Sequence, residues 1–248
     1  MKNFITKYVF TLISFLILTL TGCQSAHQST LQSDKVSSAS GSSLGTQWGD
    51  GIESHVQSVS LERVSSNPTD IITIEYSAHP YKGKAISEIM LNQGQIGMAI
   101  LDDHNHKLSL IKQQNSDVKL QGNIGQSYQL YYHNYSNKTF EVIATVDGLD
   151  VINGKAGSLS NNGYILNPYD TLLIKGFRKS NSEVASFTFS NSANAYANHT
   201  DEGSPNNIGV IGTAIFQLKD NSFHRQQIKP NAFPADNTNN SYAKPPTY

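Results

Sequence analysis

The chain has 248 residues, 15% of them charged, with 18 Lys and Arg against 19 Asp and Glu and a formal net charge of −1. Its lysines fall singly rather than in a stripe, which argues against a nucleic-acid interface and against a polybasic patch for docking on membranes. A single cysteine excludes an intramolecular disulfide, so the fold must rest on its core.

Met1-Lys2-Asn3-Phe4-Ile5-Thr6-Lys7 carries two lysines and no acid, and an apolar run follows from Tyr8 to Leu20. A basic start and a short apolar core are the marks of a secretory signal, and the run is shorter than the roughly 20 residues of a comfortable membrane span. The signal ends in Leu20-Thr21-Gly22-Cys23, which resembles the lipobox of bacterial lipoproteins. That resemblance implies that residues 1–22 are removed, that the Cys23 thiol takes a diacylglycerol and that the new amino terminus is acylated as well. Several acyl chains on one residue give stable anchoring where one would be marginal. No other cofactor is implied, and a lipid-bearing Cys23 is not available as a nucleophile. Gln24 rather than Asp follows the cysteine; by resemblance to the sorting rule of Gram-negative bacteria this implies the outer membrane, with a periplasmic or surface-facing domain. Residues 23–46 are poor in apolar residues and read as a disordered tether with a reach of about 25 Å.

The folded region is expected over 47–218, as one domain or as two sub-parts, 47–122 and 123–218. Trp48-Gly49-Asp50-Gly51 opens it, with Trp48 either anchoring the first strand on the core or offering a ligand platform. Ile71 to Tyr76 is dense in β-branched and aromatic residues and follows the turn Asn67-Pro68-Thr69-Asp70, so it reads as a strand. Ala85 to Leu91 fits a two-turn helical stripe or a strand equally well. Ile96 to Leu101 and Leu108 to Ile111 read as two strands of a hairpin joined by Asp102-Asp103-His104-Asn105-His106-Lys107. This linker concentrates ligand types. Asp102, His104 and His106 offer N and O donors to a divalent cation, while Asp-Asp-x-Asn is also ordinary turn chemistry. His55, His79, His133 and His199 stand alone.

Tyr128 to Tyr132 and Thr139 to Val146 form the clearest strand pair, expected to run antiparallel across the polar turn from His133 to Lys138. Phe140, Val142, Ala144 and Val146 share one face of the second strand. Tyr128, Tyr131, Tyr132 and Tyr135 suit either a strand with polar tips at the surface or sugar stacking. Asp147-Gly148 supplies the positive φ values of a type I′ hairpin turn. Further strands are expected at Gly163–Leu166, Thr171–Phe177, Val184–Phe189 and Gly209–Phe216, with a helical turn within the Ala/Asn/Ser-rich stretch from Ser190 to Asn198. Residues 219–248, rich in Asn, Pro and Ser, read as a disordered tail.

Val146-Asp147-Gly148 with Val151 and Gly154, then Gly163-Tyr164, Leu166, Pro168 and Tyr169, Gly176-Phe177-Arg178, Ser180, Ala185, Phe187, Phe189, Tyr196-Ala197 and Gly209-Val210-Ile211-Gly212 with Ala214 and Phe216 form a spaced set. Over residues 126–217 it resembles a set of bacterial envelope proteins of uncharacterised function, and it implies a domain type without an activity. Arg178 stands out in this set as a charged residue at a strand end. Its fork suits an ion pair with Asp147, Asp150 or Asp170, or recognition of an anionic group.

No Gly-x-Ser-x-Gly elbow, His-Glu-x-x-His pair or phosphate-binding glycine loop is present, so an enzyme is not expected. The sequence therefore points to an all-β protein, an antiparallel sandwich held to the outer membrane by its lipid and serving as a binding or scaffold module for an envelope protein. Arg178, Tyr131, Tyr132 and Trp48 are the possible binding residues; the alternatives are a glycan-binding module, suggested by the tyrosine group, and a metal-dependent hydrolase built on Asp102, His104 and His106.

Overall fold

A computed structural model describes residues 43–219. The expected signal peptide, the expected lipidation site Cys23, almost all of the expected tether and the expected tail beyond Lys219 lie outside the described residues. Two sheets pack face to face. The first has seven strands: β1 (Leu44–Glu53), β14 (Glu183–Asn191), β8 (Ser127–Asn134), β5 (Ile96–Asp102) and β4 (Ile89–Leu91) in that order, with β12 (Thr171–Ile174) against β8 and β13 (Gly176–Arg178) against β14. The second has eight: β10 (Leu149–Asp150), β9 (Phe140–Val146), β15 (Val210–Gln217), β2 (Asp70–Ser77), β7 (Val118–Gln121), β6 (Leu110–Lys112) and β3 (Lys84–Ile86), with β11 (Tyr164–Leu166) against β9. All these pairings are antiparallel except β2 with β7. The all-β sandwich is thus the architecture of the described residues, and Ala85–Leu91 resolves into two short strands on different sheets.

Strand identity follows from side chains. On β8 burial alternates, with Tyr128, Leu130, Tyr132 and Asn134 inward, as the period of two dictates. Phe140, Val142, Ala144 and Val146 of β9 face the same interior, where Phe177, Phe187 and Phe189 also lie. Each such aromatic or aliphatic side chain contributes about 1.5–3 kcal/mol when fully removed from water. The core is continuous across residues 44–215, and each sheet draws strands from both halves of the chain. The sub-parts 47–122 and 123–218 are therefore interleaved rather than separate.

Two expected pairings do not form. β8 bonds to β5, β12 and β14, whereas β9 bonds to β15, β10 and β11, so the two strands stack across the sandwich instead of lying side by side. Each buries one face in the same interior, and burial alternation reports faces, not edge partners. The crossing is held by Asn134, fully buried, whose amide donates to Lys138 O at 2.7 Å and Asn167 O at 2.8 Å while its oxygen accepts from Ser136 N at 2.9 Å. Likewise β5 and β6 begin as a hairpin, with Leu108 N on Ile100 O at 2.8 Å, but β6 then crosses to the second sheet. The Asp147-Gly148 turn forms as read, with φ of 52° and 77°.

The first strand starts earlier than the tether boundary at residue 46. Leu44, Gly45 and Thr46 are buried in β1. Their local sequence is turn-like, and they are drawn into the sheet by pairing with Ser190 and Phe189.

Candidate functional site

Trp48 lies at a bulge in β1, where the register against β14 shifts between Trp48 and Gly51. Such bulges re-aim a side chain and twist an edge strand away from further pairing. The indole stacks on Phe177 at 6.0 Å and 4°, and meets Tyr196 at 4.8 Å and 57°. It remains 43% exposed, so it is at once an anchor and an open aromatic edge.

Arg178 does not pair with Asp147, Asp150 or Asp170. Its Nε donates to Tyr164 OH at 2.9 Å, Nη1 to Ser54 O at 2.8 Å and Ser180 O at 3.0 Å, and Nη2 to Ser54 Oγ at 2.9 Å. The guanidinium is satisfied by neutral oxygens and ties the end of β13 to the chain after β1 and to β11. Burial pushes the Tyr164 phenol up, against the opposing pull of Arg178.

In the Asp102–Lys107 loop, Asp102 Oδ1 accepts the amides of His104 at 2.9 Å and His106 at 2.8 Å. The amide bond from His106 leads in holding this carboxyl below its ordinary range. The donor atoms that converge within 4.8 Å belong to Asp102, Asp103 and His104 rather than to Asp102, His104 and His106. The Asp103 and His104 side chains of that trio are exposed, and His104 Nδ1 lies 2.7 Å from Asp103 Oδ1. The loop is built as an Asx turn.

The tyrosine group divides between two environments. Tyr128 and Tyr132 are fully buried, so Tyr132 is not available as a surface contact. Its hydroxyl lies 2.8 Å from Thr213 Oγ1, and burial pushes its phenol up. Tyr131 and Tyr135 belong to the solvent side of the first sheet.

The feature that sequence reasoning missed is on the outer face of the second sheet. Ile71 of β2, Ile143 and Thr145 of β9, and Gly212 and Ala214 of β15 floor an open groove of about 310 Å³, walled by Leu159 of the loop before β11. Ile143 and Ala214 are nearly inaccessible, while Ile71 and Leu159 form lips that are 54% and 46% exposed. Gly212 keeps the floor low, since a Cβ there would stand 2.5 Å from Thr145 Oγ1. None of the lining residues is titratable, so the groove supplies contact area without acid or base.

The wall is held in place by Arg63. Its Nη1 donates to Leu159 O at 2.7 Å and its Nη2 to Asn161 O at 2.5 Å, while Nε pairs with Glu141 Oε2 at 2.6 Å. The guanidinium sits 3.8 Å from the centroid of Phe216, a cation–π contact at one end of this face. Glu141 Oε1 accepts the Gly163 amide at 2.6 Å. The wall is thus fixed before any partner arrives, which lowers the ordering cost of binding. The only sequence signals for this face were the glycines of the last strand and the second side of β9; the groove itself needs β9, β15 and β2 side by side.

Comparison with protein-family models, with curated proteins and with solved structures finds no match to this chain.

Proposed function

We propose that this is a lipid-anchored protein of the outer membrane that acts as a binding or scaffold module, holding an envelope protein through the groove on its second sheet. The anchor rests on the likeness of Leu20-Thr21-Gly22-Cys23 to a lipobox. The observation that carries the binding role is the preformed apolar groove between Ile71 and Leu159, rigidly walled by Arg63 and free of titratable groups. Its volume is at the low end for ligand sites and suits a few apolar side chains of an extended segment. An occupant of this kind removes the exposed surface of Ile71 and Leu159 from water, the non-directional driving force of most protein association.

The test is Ala214→Arg, which puts a long cationic side chain on the groove floor, with circular dichroism to check that the fold survives at this nearly inaccessible position. Membranes solubilised in mild detergent are sized by native electrophoresis. The wild-type protein is expected in an assembly larger than itself and the variant alone. Identical migration of both as the single chain defeats the proposal.

A further inference from the structure

On the opposite side of the sandwich, the solvent face of β8 carries a row of polar and aromatic groups. Gln129, Tyr131 and His133 lie on it, and Tyr135 continues the row just past the strand. Across from them on β5 stand Leu101, Ala99 and Gly97. The small residues let longer side chains lie flat: a Cβ on Gly97 would run into Glu88 Oε1 and stand 3.0 Å from Tyr135 Cε2. The rings of His133 and Tyr135 stack with centroids 4.1 Å apart at 17°. Tyr135 OH donates to Glu88 Oε1 at 3.0 Å, and Glu88 Oε2 takes Lys107 Nζ at 2.7 Å.

These groups form one network. Burial alone would raise the Glu88 carboxyl, but the hydrogen bonds from Lys107 and Tyr135 hold it below its ordinary range. Carboxylate and ammonium cancel within this pair. At the other end of the row, Gln129 Nε2 donates to Asp102 O at 3.0 Å, and its Oε1 is buried without a partner among the described residues.

We propose that this face binds a neutral glycan chain of the envelope or cell surface. A pyranose ring offers an apolar C–H face to stack on a flat ring and a rim of hydroxyls to hydrogen-bond. The face provides both: the partly exposed rings of Tyr131, His133 and Tyr135 for stacking, and Glu88 and Lys107 for the hydroxyls. From Tyr131 to Tyr135 the row runs about 13 Å, enough for more than one sugar ring. An apolar side chain fits poorly, since it would strip water from Glu88 and Lys107 and return no hydrogen bonds. The inference does not depend on the groove, which lies on the other sheet. A protein with both surfaces would join an envelope protein to a glycan.

The protein is titrated calorimetrically with chitohexaose and with cellohexaose, two neutral glycan chains. Saturable binding to at least one of these is expected. It should weaken about tenfold or more in Tyr131→Ala and in Tyr135→Ala, the loss of one stacked ring and its bonds. Tyr135 is 47% exposed, so its variant keeps the fold, which circular dichroism checks. The groove variant Ile71→Asp should bind glycan as the wild type does. The proposal is overturned by no binding to either glycan, by equal binding in the Tyr131→Ala/Tyr135→Ala double variant, or by equal loss in Ile71→Asp.

Discussion

Thr46 and Asp147, 101 residues apart in the chain, meet at 2.7 Å where the Thr46 amide donates to Asp147 Oδ2. The contact joins β1 of the first sheet to the tight turn after β9 of the second. Asp147 Oδ1 also accepts from Tyr76 OH at 2.6 Å and from the Gly209 amide at 2.8 Å. Thr46 Oγ1 lies 2.8 Å from Tyr76 OH and 2.7 Å from Tyr128 OH. A buried carboxylate thus closes one end of the sandwich, with every acceptor oxygen occupied.

Asp147→Asn should destabilise the protein by on the order of 2 kcal/mol, because it turns one oxygen into a donor facing the Thr46 amide. Urea denaturation of the two proteins measures this. The substitution keeps a residue type that tolerates the left-handed turn conformation, so a loss comes from the network rather than from backbone strain.

The pH dependence of that loss has a defined sign. Burial leads in pushing the Asp147 carboxyl up, against the hydrogen bonds of Tyr76, Thr46 and Gly209. The folded protein then holds the proton more tightly than the unfolded chain does. The group's stabilisation is complete below about pH 4, the ordinary aspartate range, and declines as pH rises through the folded value. The stability difference between wild type and Asp147→Asn should therefore shrink as pH rises above about 4; a difference that grows with pH refutes the assignment.

Arg63→Lys should cost about 2 kcal/mol, since an ammonium cannot reproduce three forked bonds to Glu141, Leu159 and Asn161 and leaves Glu141 under-partnered. Limited proteolysis should cut the 158–163 loop faster in the variant. An unchanged cleavage pattern would mean that Arg63 does not hold the wall.

Trp48 is the only tryptophan of the chain, which makes fluorescence a clean reporter of one position. With 43% of its surface exposed, it should be quenched by acrylamide in the folded state, more weakly than after unfolding. Trp48→Ala should cost about 2 kcal/mol, roughly half the loss of a fully buried tryptophan.

Cys23→Ser should abolish labelling by fatty acid and move the protein from the membrane to the soluble fraction. A variant that stays labelled and membrane-bound removes the lipid anchor from the account.

The strands themselves were legible because Ile71–Tyr76, Tyr128–Tyr132 and Thr139–Val146 are β-branched and aromatic, and Asp147-Gly148 announced its turn chemistry. Their partners were not legible. Alternation places Phe140 and Tyr132 on inward faces but is silent on whether two such strands lie edge to edge or stack across a core. The same limit hid both surfaces. The groove needs Ile71, Ile143 and Ala214 on three adjacent strands, and the polar face needs Glu88 and Lys107 brought beside Tyr135. Arg178 was readable as an exceptional cation, but its oxygens come from Ser54, Tyr164 and the nearby Ser180 carbonyl, none of which carries a charge to mark it.

The central claim is that the groove holds an envelope protein, and a photo-crosslinking residue placed at Leu159 in living cells tests it most directly. One discrete protein adduct is predicted, lost when Ala214→Arg is added and not formed from the same probe at exposed Ile124, outside the groove. No adduct from position 159, or the same adduct with the groove filled, would contradict it.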